Sequence, residues 1–166
     1  LAAVTEEVFG MFRTRLEDCG VEALTRIDPA MPAFLGSRLE MRQVLLHLVE
    51  NAIDAMPDGG KLAVEGCVRP VESGSEETLF GDGTDGSSGK VVEIRVRDTG
   101  EVIPEAVRGD IFQPFFTTRE VGKGKGLGLT VCRSLVENRR GRIELEKSLP
   151  GDTCFRILLP FEKAPA

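Results

Sequence analysis

The sequence predicts an α/β protein: a two-layer α/β sandwich with one mixed, mostly antiparallel sheet and helices on one face. Three observations predict it. Helical and strand periodicities interleave along the chain instead of separating into blocks. One helix of the interior carries a one-sided apolar stripe, Met41, Leu45, Leu48, Ala52 and Met56, at steps of three and four. Val91 to Arg97 alternates Val92, Ile94 and Val96 with charged neighbours, the pattern of a half-buried strand.

The elements follow in order. Val4, Val8, Phe12 and Leu16 recur at helical spacing from Ala3 to about Cys19, and Gly20 stops that helix. Val21 to Asp28 reads as a strand closed by the turn residues DPAMP. Ser37 opens SRLE, a capping box in which Ser37 and Glu40 satisfy each other's orphan amides. The helix that follows runs to about Met56 and ends at PDGG. Lys61 to Val68 is a strand; residues 70–89, rich in Gly, Ser and acids, are predicted as a mobile loop. A short helix starts at Pro104, another runs from Leu127 to about Arg139, and Arg142–Glu146 pairs with Cys154–Leu159 as a hairpin through SLPGD.

Composition narrows the function. At 166 residues the chain is one domain, 1–166, with 41% apolar and 29% charged residues. The net charge of −6 disfavours nucleic acid and anionic lipid as partners. No apolar run approaches the ~20 residues of a membrane span, so no membrane contact is expected. Leu1 opens no signal peptide, and a start other than Met suggests a piece of a longer chain. Cys19, Cys67, Cys132 and Cys154 form no CxxC pair, which points to free thiols in a reducing cytoplasm and away from metal ligation.

Three local patterns carry chemistry. Gln43, His47, Glu50, Asn51 and Asp54 make a polar stripe beside the apolar one on the central helix. DTG, Asp98 to Gly100, leaves a strand: a carboxylate at a strand end can accept from an exocyclic amine while a glycine lets the backbone pass close to a flat base. An Asx turn would use the same residues. GKGKGLGL, Gly122 to Leu129, is a glycine-rich run entering a helix, able to aim backbone amides at phosphate. It lacks the GK[ST] of a Walker loop, and a flexible hinge would look similar.

In order and spacing these segments resemble the GHKL superfamily of ATPases (the Bergerat fold) and, within it, the sensor histidine kinases. HLVENAIDAM is similar to the N box, VRDTGEVIPE to the G1 box, DIFQPFF to the F box, GKGKGLGL to the G2 box and GDTCFRILLP to the last threonine-bearing strand. The resemblance implies ATP and Mg²⁺ as cofactors. It implies that Asn51 presents its side-chain oxygen to Mg²⁺, with His47 one turn away and Lys123 acting with them at the phosphates. It implies that Asp98 accepts the adenine N6 amine, that Thr153 holds a water between Asp98 and the ring, that Ile103 lines the base pocket, and that Ala55 and Gly100 also belong to the nucleotide site. Gly124, Gly126, Leu127 and Gly128 would cradle the phosphates with backbone amides, Lys123 or Lys125 would neutralise charge near the γ-phosphate, and Leu129 also belongs to the nucleotide site. Phe112, Phe115 and Phe116 would anchor a short lid within 112–126, or serve as plain core.

Two positions depart from the pattern. Val102 stands where the G1 box usually has a second glycine; if the turn there needs a positive φ, a β-branched residue costs about 1–2 kcal/mol. His47 stands where many kinases carry Asn and where chemotaxis kinases carry His. The strongly hydrolytic relatives place a Glu base there. The resemblance thus implies a protein-histidine kinase domain that donates the γ-phosphoryl group to a histidine on upstream dimerisation helices, serving a response-regulator receiver domain, and that hydrolyses ATP poorly. The alternatives are a nucleotide-gated pseudokinase acting as an interaction module and an anti-sigma-factor-type serine kinase.

Overall fold

In the computed structural model, residues 1–29, 31, 37–71, 89–117 and 126–161 are described. Among them four helices and five strands follow the order α1 (Ala2–Met11), α2 (Arg13–Cys19), β1 (Val21–Ile27), α3 (Arg38–Asp54), β2 (Gly60–Pro70), β3 (Lys90–Asp98), α4 (Gly128–Glu137), β4 (Arg142–Leu149) and β5 (Asp152–Pro160). A 3-10 turn, Glu105–Val107, follows β3 where a short helix was expected. The sheet order is β1-β2-β3-β5-β4. β1 and β2 are parallel and every other pair is antiparallel, so the sheet is mixed and mostly antiparallel as the sequence predicts. Most of the predicted loop, residues 72–88, lies outside the described residues.

The whole apolar stripe of α3 is buried: Met41, Leu45, Leu48 and Ala52, with Met56 just beyond the helix. It meets Val92, Ile94 and Val96 of β3 and Phe155, Ile157 and Leu159 of β5 in one core. Those strand residues share a parity, so one face of the sheet carries the core. Ser37 caps α3 by accepting from the Glu40 amide at 3.3 Å. The reciprocal arm of the capping box is replaced: the Glu40 carboxylate takes Arg139 Nε at 2.7 Å and ties α3 to the end of α4.

Two expectations are corrected. The first helix is two helices, broken at Phe12 (φ −98, ψ 7), two residues after the weak helix former Gly10. The break lets α1 bury Val4 and Val8 while α2 turns Leu16 toward the same core. Ion pairs fasten both helices to α3: Glu7 with Arg38 and Arg42, each at 2.9 Å, and Arg15 with Asp54 at 2.5 Å. Secondly, β3 is buried on both faces along part of its length. Glu93, on the side away from the helices, is only 2% exposed, because Arg69, Arg95 and Arg156 lie against it.

Leu48 is 1% exposed at the centre of the core. Leu48→Ala is expected to destabilise the fold by about 2–5 kcal/mol with an unchanged m-value, as read by urea unfolding.

Candidate active site

The site forms along one end of the sheet, where β3 leaves the core. Asp98 is the last residue of β3, paired with Leu62 on β2 and Thr153 on β5. It continues the parity of Ile94 and Val96, so its carboxylate sits on the core side, 5% exposed. Oδ1 accepts the Gly100 amide at 2.9 Å. Among the described residues Oδ2 accepts nothing, leaving one acceptor for a ligand. Burial pushes this carboxyl up to about 6; the Gly100 N–H pulls it down, and Asp152 adds a smaller upward push.

Gly100 is required for room. A methyl group there would stand 2.6 Å from the Ala55 carbonyl oxygen and 2.7 Å from Ala55 Cβ. The chain is held there, since the Glu101 amide donates to the Ala55 carbonyl at 3.0 Å. Ala55 caps α3 one turn beyond Asn51 and donates to its carbonyl at 3.1 Å. His47 lies one turn before Asn51, its ring so near Gly128 that a methyl there would be 3.3 Å from Nδ1. Thr153, Asp98, Gly100, Ala55, Asn51, His47 and Gly128 thus form one continuous rim from the sheet to the start of α4.

At the α4 end, Gly126 has φ 64, and a methyl there would stand 2.5 Å from the Phe115 carbonyl carbon. Its carbonyl accepts the Phe115 amide at 2.9 Å, which holds Phe115 beside the entry to α4. Leu127 leads into α4, accepting the Val131 amide at 2.9 Å, and Leu129 packs on the core. Lys123, Gly124 and Lys125 lie outside the described residues. The three phenylalanines divide. Phe112 meets Phe155 edge to face at 6.3 Å and Phe116 packs on the core. Phe115 is 76% exposed, with a positive φ of 65 that is rare for a bulky residue.

Val102 corrects a sequence-based concern. Its φ is not positive, so no left-handed strain is stored at the missing glycine, and its side chain is 37% exposed. Sequence reasoning missed the residues that brace Ile103. Its amide donates to Ser148 Oγ at 2.9 Å, while Arg108 donates from Nε to the Ile103 carbonyl at 2.9 Å and from Nη2 to the Ser148 carbonyl at 2.7 Å. It also missed Thr99, whose Oγ1 accepts the Lys61 amide at 3.0 Å and whose own amide donates to the Lys61 carbonyl at 3.1 Å. A lone Ser, Thr or Arg in a polar stretch gives no signal of such roles.

Residues 36–163 match the family model described as histidine kinase-, DNA gyrase B-, and HSP90-like ATPase. The chain belongs to that family. Within it, the chain is 37% identical over 121 residues to the sensor kinase CckA of Brucella abortus, a match covering 73% of this chain and 12% of CckA. It is 32% identical over 161 residues to the sensory histidine kinase/phosphatase NtrB of Salmonella typhimurium, covering 96% of this chain and 42% of NtrB. This chain therefore spans less than half the length of either relative. The catalytic domain of histidine kinase ThkA superposes with a TM-score of 0.74 at 26% identity, over 96% of this chain and 91% of that one. ThkA in complex with the response regulator TrrA matches with a TM-score of 0.68 at 26% identity, over 96% of this chain and 40% of that one.

The residues present fit a magnesium nucleotide. Among the described residues no cluster of three or more His, Cys, Asp or Glu could cage a metal alone. Magnesium prefers few protein ligands and keeps waters and phosphate oxygens, so a single amide oxygen on the α3 rim suits it.

The raised carboxyl of Asp98 sets a pH dependence. Its ordinary value is 3.8 and its folded value about 6. The folded state therefore holds the proton more tightly than the unfolded one. The stability this contributes is complete below about 4 and is lost as pH rises through about 6. Without nucleotide, Asp98→Asn is expected to unfold like the wild type near pH 3.5. At pH 7.5 it is expected to be more stable, by on the order of 3 kcal/mol. Urea midpoints at both pH values measure this, and equal stability at pH 7.5 would contradict the burial argument.

Proposed function

We propose that this chain is the catalytic ATP-binding domain of a sensor histidine kinase. In this reading it binds Mg-ATP and passes the γ-phosphoryl group to a histidine on dimerisation helices of the same kinase, from which a response-regulator receiver domain is served. The observation that carries the reading is the buried Asp98 carboxylate with one oxygen left to accept, beside Thr153 at the sheet end. The relatives named as sensor kinases and the ThkA–TrrA complex support the signalling context. No helix among the described residues is long and apolar enough to cross a membrane, and we place the domain in the cytoplasm.

The roles follow from position. Asp98 accepts the exocyclic amine of adenine, and Ile103, Gly100 and Ala55 shape the wall around the base. Asn51 would hold magnesium, which when bound neutralises charge on the phosphates. His47 and the Gly126–Gly128 entry to α4 offer donors to phosphate oxygens, with Lys123 and Lys125 adding positive charge. Catalysis in this reading is positioning and charge neutralisation, as in phosphoryl transfer generally. Val102 stores no left-handed strain, so any effect it has on the base site comes from its bulk alone.

Calorimetry with ATP and GTP tests the base site. ATP is expected to bind more tightly, and Asp98→Asn to weaken ATP by about 1.5–3 kcal/mol, the worth of a hydrogen bond to a charged acceptor. Equal affinity for GTP would sink the assignment.

With γ-labelled ATP the chain alone is expected to retain no label. With a histidine-bearing helical hairpin from a nitrogen-regulator kinase supplied in trans, acid-labile label is expected on the hairpin. Label kept on this chain without an acceptor would contradict the reading.

A further inference from the structure

Three buried polar side chains stand in a row across three strands: Asp98 on β3, Thr153 on β5 and Ser148 on β4 are successive register partners. Ser148 reaches this row through a bulge. The β4–β5 register shifts between Leu145 and Lys147. An unbroken β4 with Ile143 and Leu145 on the core side would turn Lys147 inward and Ser148 outward. The extra residue resets the alternation, sends Lys147 to Asp152 at the surface and brings Ser148 inward beside Thr153.

Ser148 Oγ accepts the Ile103 amide at 2.9 Å and lies 3.1 Å from Thr153 Oγ1, and either hydroxyl can supply the proton between them. With Ser148 as the donor, the Thr153 proton is left for a ligand, beside the Asp98 carboxylate. In that arrangement the sheet end offers a donor and an acceptor side by side. Adenine presents the complement, an acceptor at N1 beside a donor amine at N6, whereas guanine presents N1–H beside O6.

The geometry points to Ser148 as a positioning residue for purine specificity: it orients the Thr153 hydroxyl as a donor toward N1, directly or through one water. Arg108 braces the same assembly from outside, binding the carbonyls of both Ser148 and Ile103. The inference rests on the adenine-nucleotide reading of Asp98 and Thr153 and adds to it the residue that orients Thr153.

The test is calorimetry of this chain with ADP and with 1-deaza-ADP, which keeps the N6 amine and lacks the N1 acceptor. The wild type is expected to prefer ADP by about tenfold, the worth of one hydrogen bond. Ser148→Ala is expected to lose most of that preference by weakening ADP alone. Thr153→Val should do the same, and the double variant no more than either, because one residue acts through the other. Ser148→Ala that melts lower yet keeps the full preference, or losses that multiply in the double variant, overturns the proposal. Should Ser148→Ala not fold, Arg108→Gln carries the test: a reduced preference supports the proposal and an unchanged one overturns it. A wild type that binds no ADP would instead overturn the nucleotide reading itself.

Discussion

A carboxylate held on the core side of a sheet is the constraint around which this domain is arranged. Asp98 continues a strand parity that further back carries Val92, Ile94 and Val96, so its position follows from the alternation that builds the core. Burial there raises its proton affinity, and the single internal bond from Gly100 offsets only part of the cost. An unpaired buried charge is among the expensive features a fold can keep. It persists because the chain around it is fastened. Thr99 is tied to Lys61 by two hydrogen bonds, and Glu101 to Ala55 by a third. Gly60 admits Thr99, since a methyl there would lie 2.5 Å from Thr99 Oγ1. A donor amine arriving at Oδ2 would offset the cost of the buried charge.

The opposite face of the sheet solves a different problem. Helices cover one face only, and the other is closed by charged side chains. Glu93 is surrounded by Arg69, Arg95 and Arg156, and Arg95 reaches on to Glu146 at 2.8 Å, which holds the Glu146 carboxyl down at about 2. Arginine stems lie over the strands while their heads pair with carboxylates. Such a network is weak evidence for net stability, because desolvation offsets much of the attraction. It lets a five-stranded sheet present a polar exterior with its central strand buried.

Much of this was legible in the sequence. The stripe from Met41 to Met56, the Gly20 stop, the strand ending in Asp98 and the turn at Pro150–Gly151 all obey local rules, and each is where those rules put it. What stayed hidden depends on partners distant in the chain. The parallel pairing of β1 with β2 needs a crossover that no local pattern announces. Glu93 looked like a solvent residue because its arginines come from β2, β3 and β5. Val102 looked strained because the residue it replaces is usually glycine, whereas the backbone here takes a path open to any side chain. At Gly100 the need for glycine was readable and its physical reason was not: the reason is the carbonyl of Ala55.

The Gly126 end of the rim shows the same economy of fixed points. Gly126 serves two requirements at once, a left-handed φ and an approach to the Phe115 carbonyl that no side chain would permit. The Phe115 amide donates to the Gly126 carbonyl and holds the two residues together. Phe115 itself pays in backbone strain of about 1–2 kcal/mol for a bulky residue at positive φ. Its neighbours offset that strain by anchoring. Phe112 is gripped by Phe155 and by Arg133 at 5.5 Å, and its carbonyl accepts from Thr130 at the start of α4. The entry to α4 is thereby set against His47 by packing on both sides, before any ligand is present. A site that works by positioning needs its donors placed in advance, since donors that must be reorganised during the reaction lose much of their worth. Here the Asp98 end of the rim is placed by strand register and the Gly126 end by a strained turn, and α3 joins the two through Ala55, Asn51 and His47.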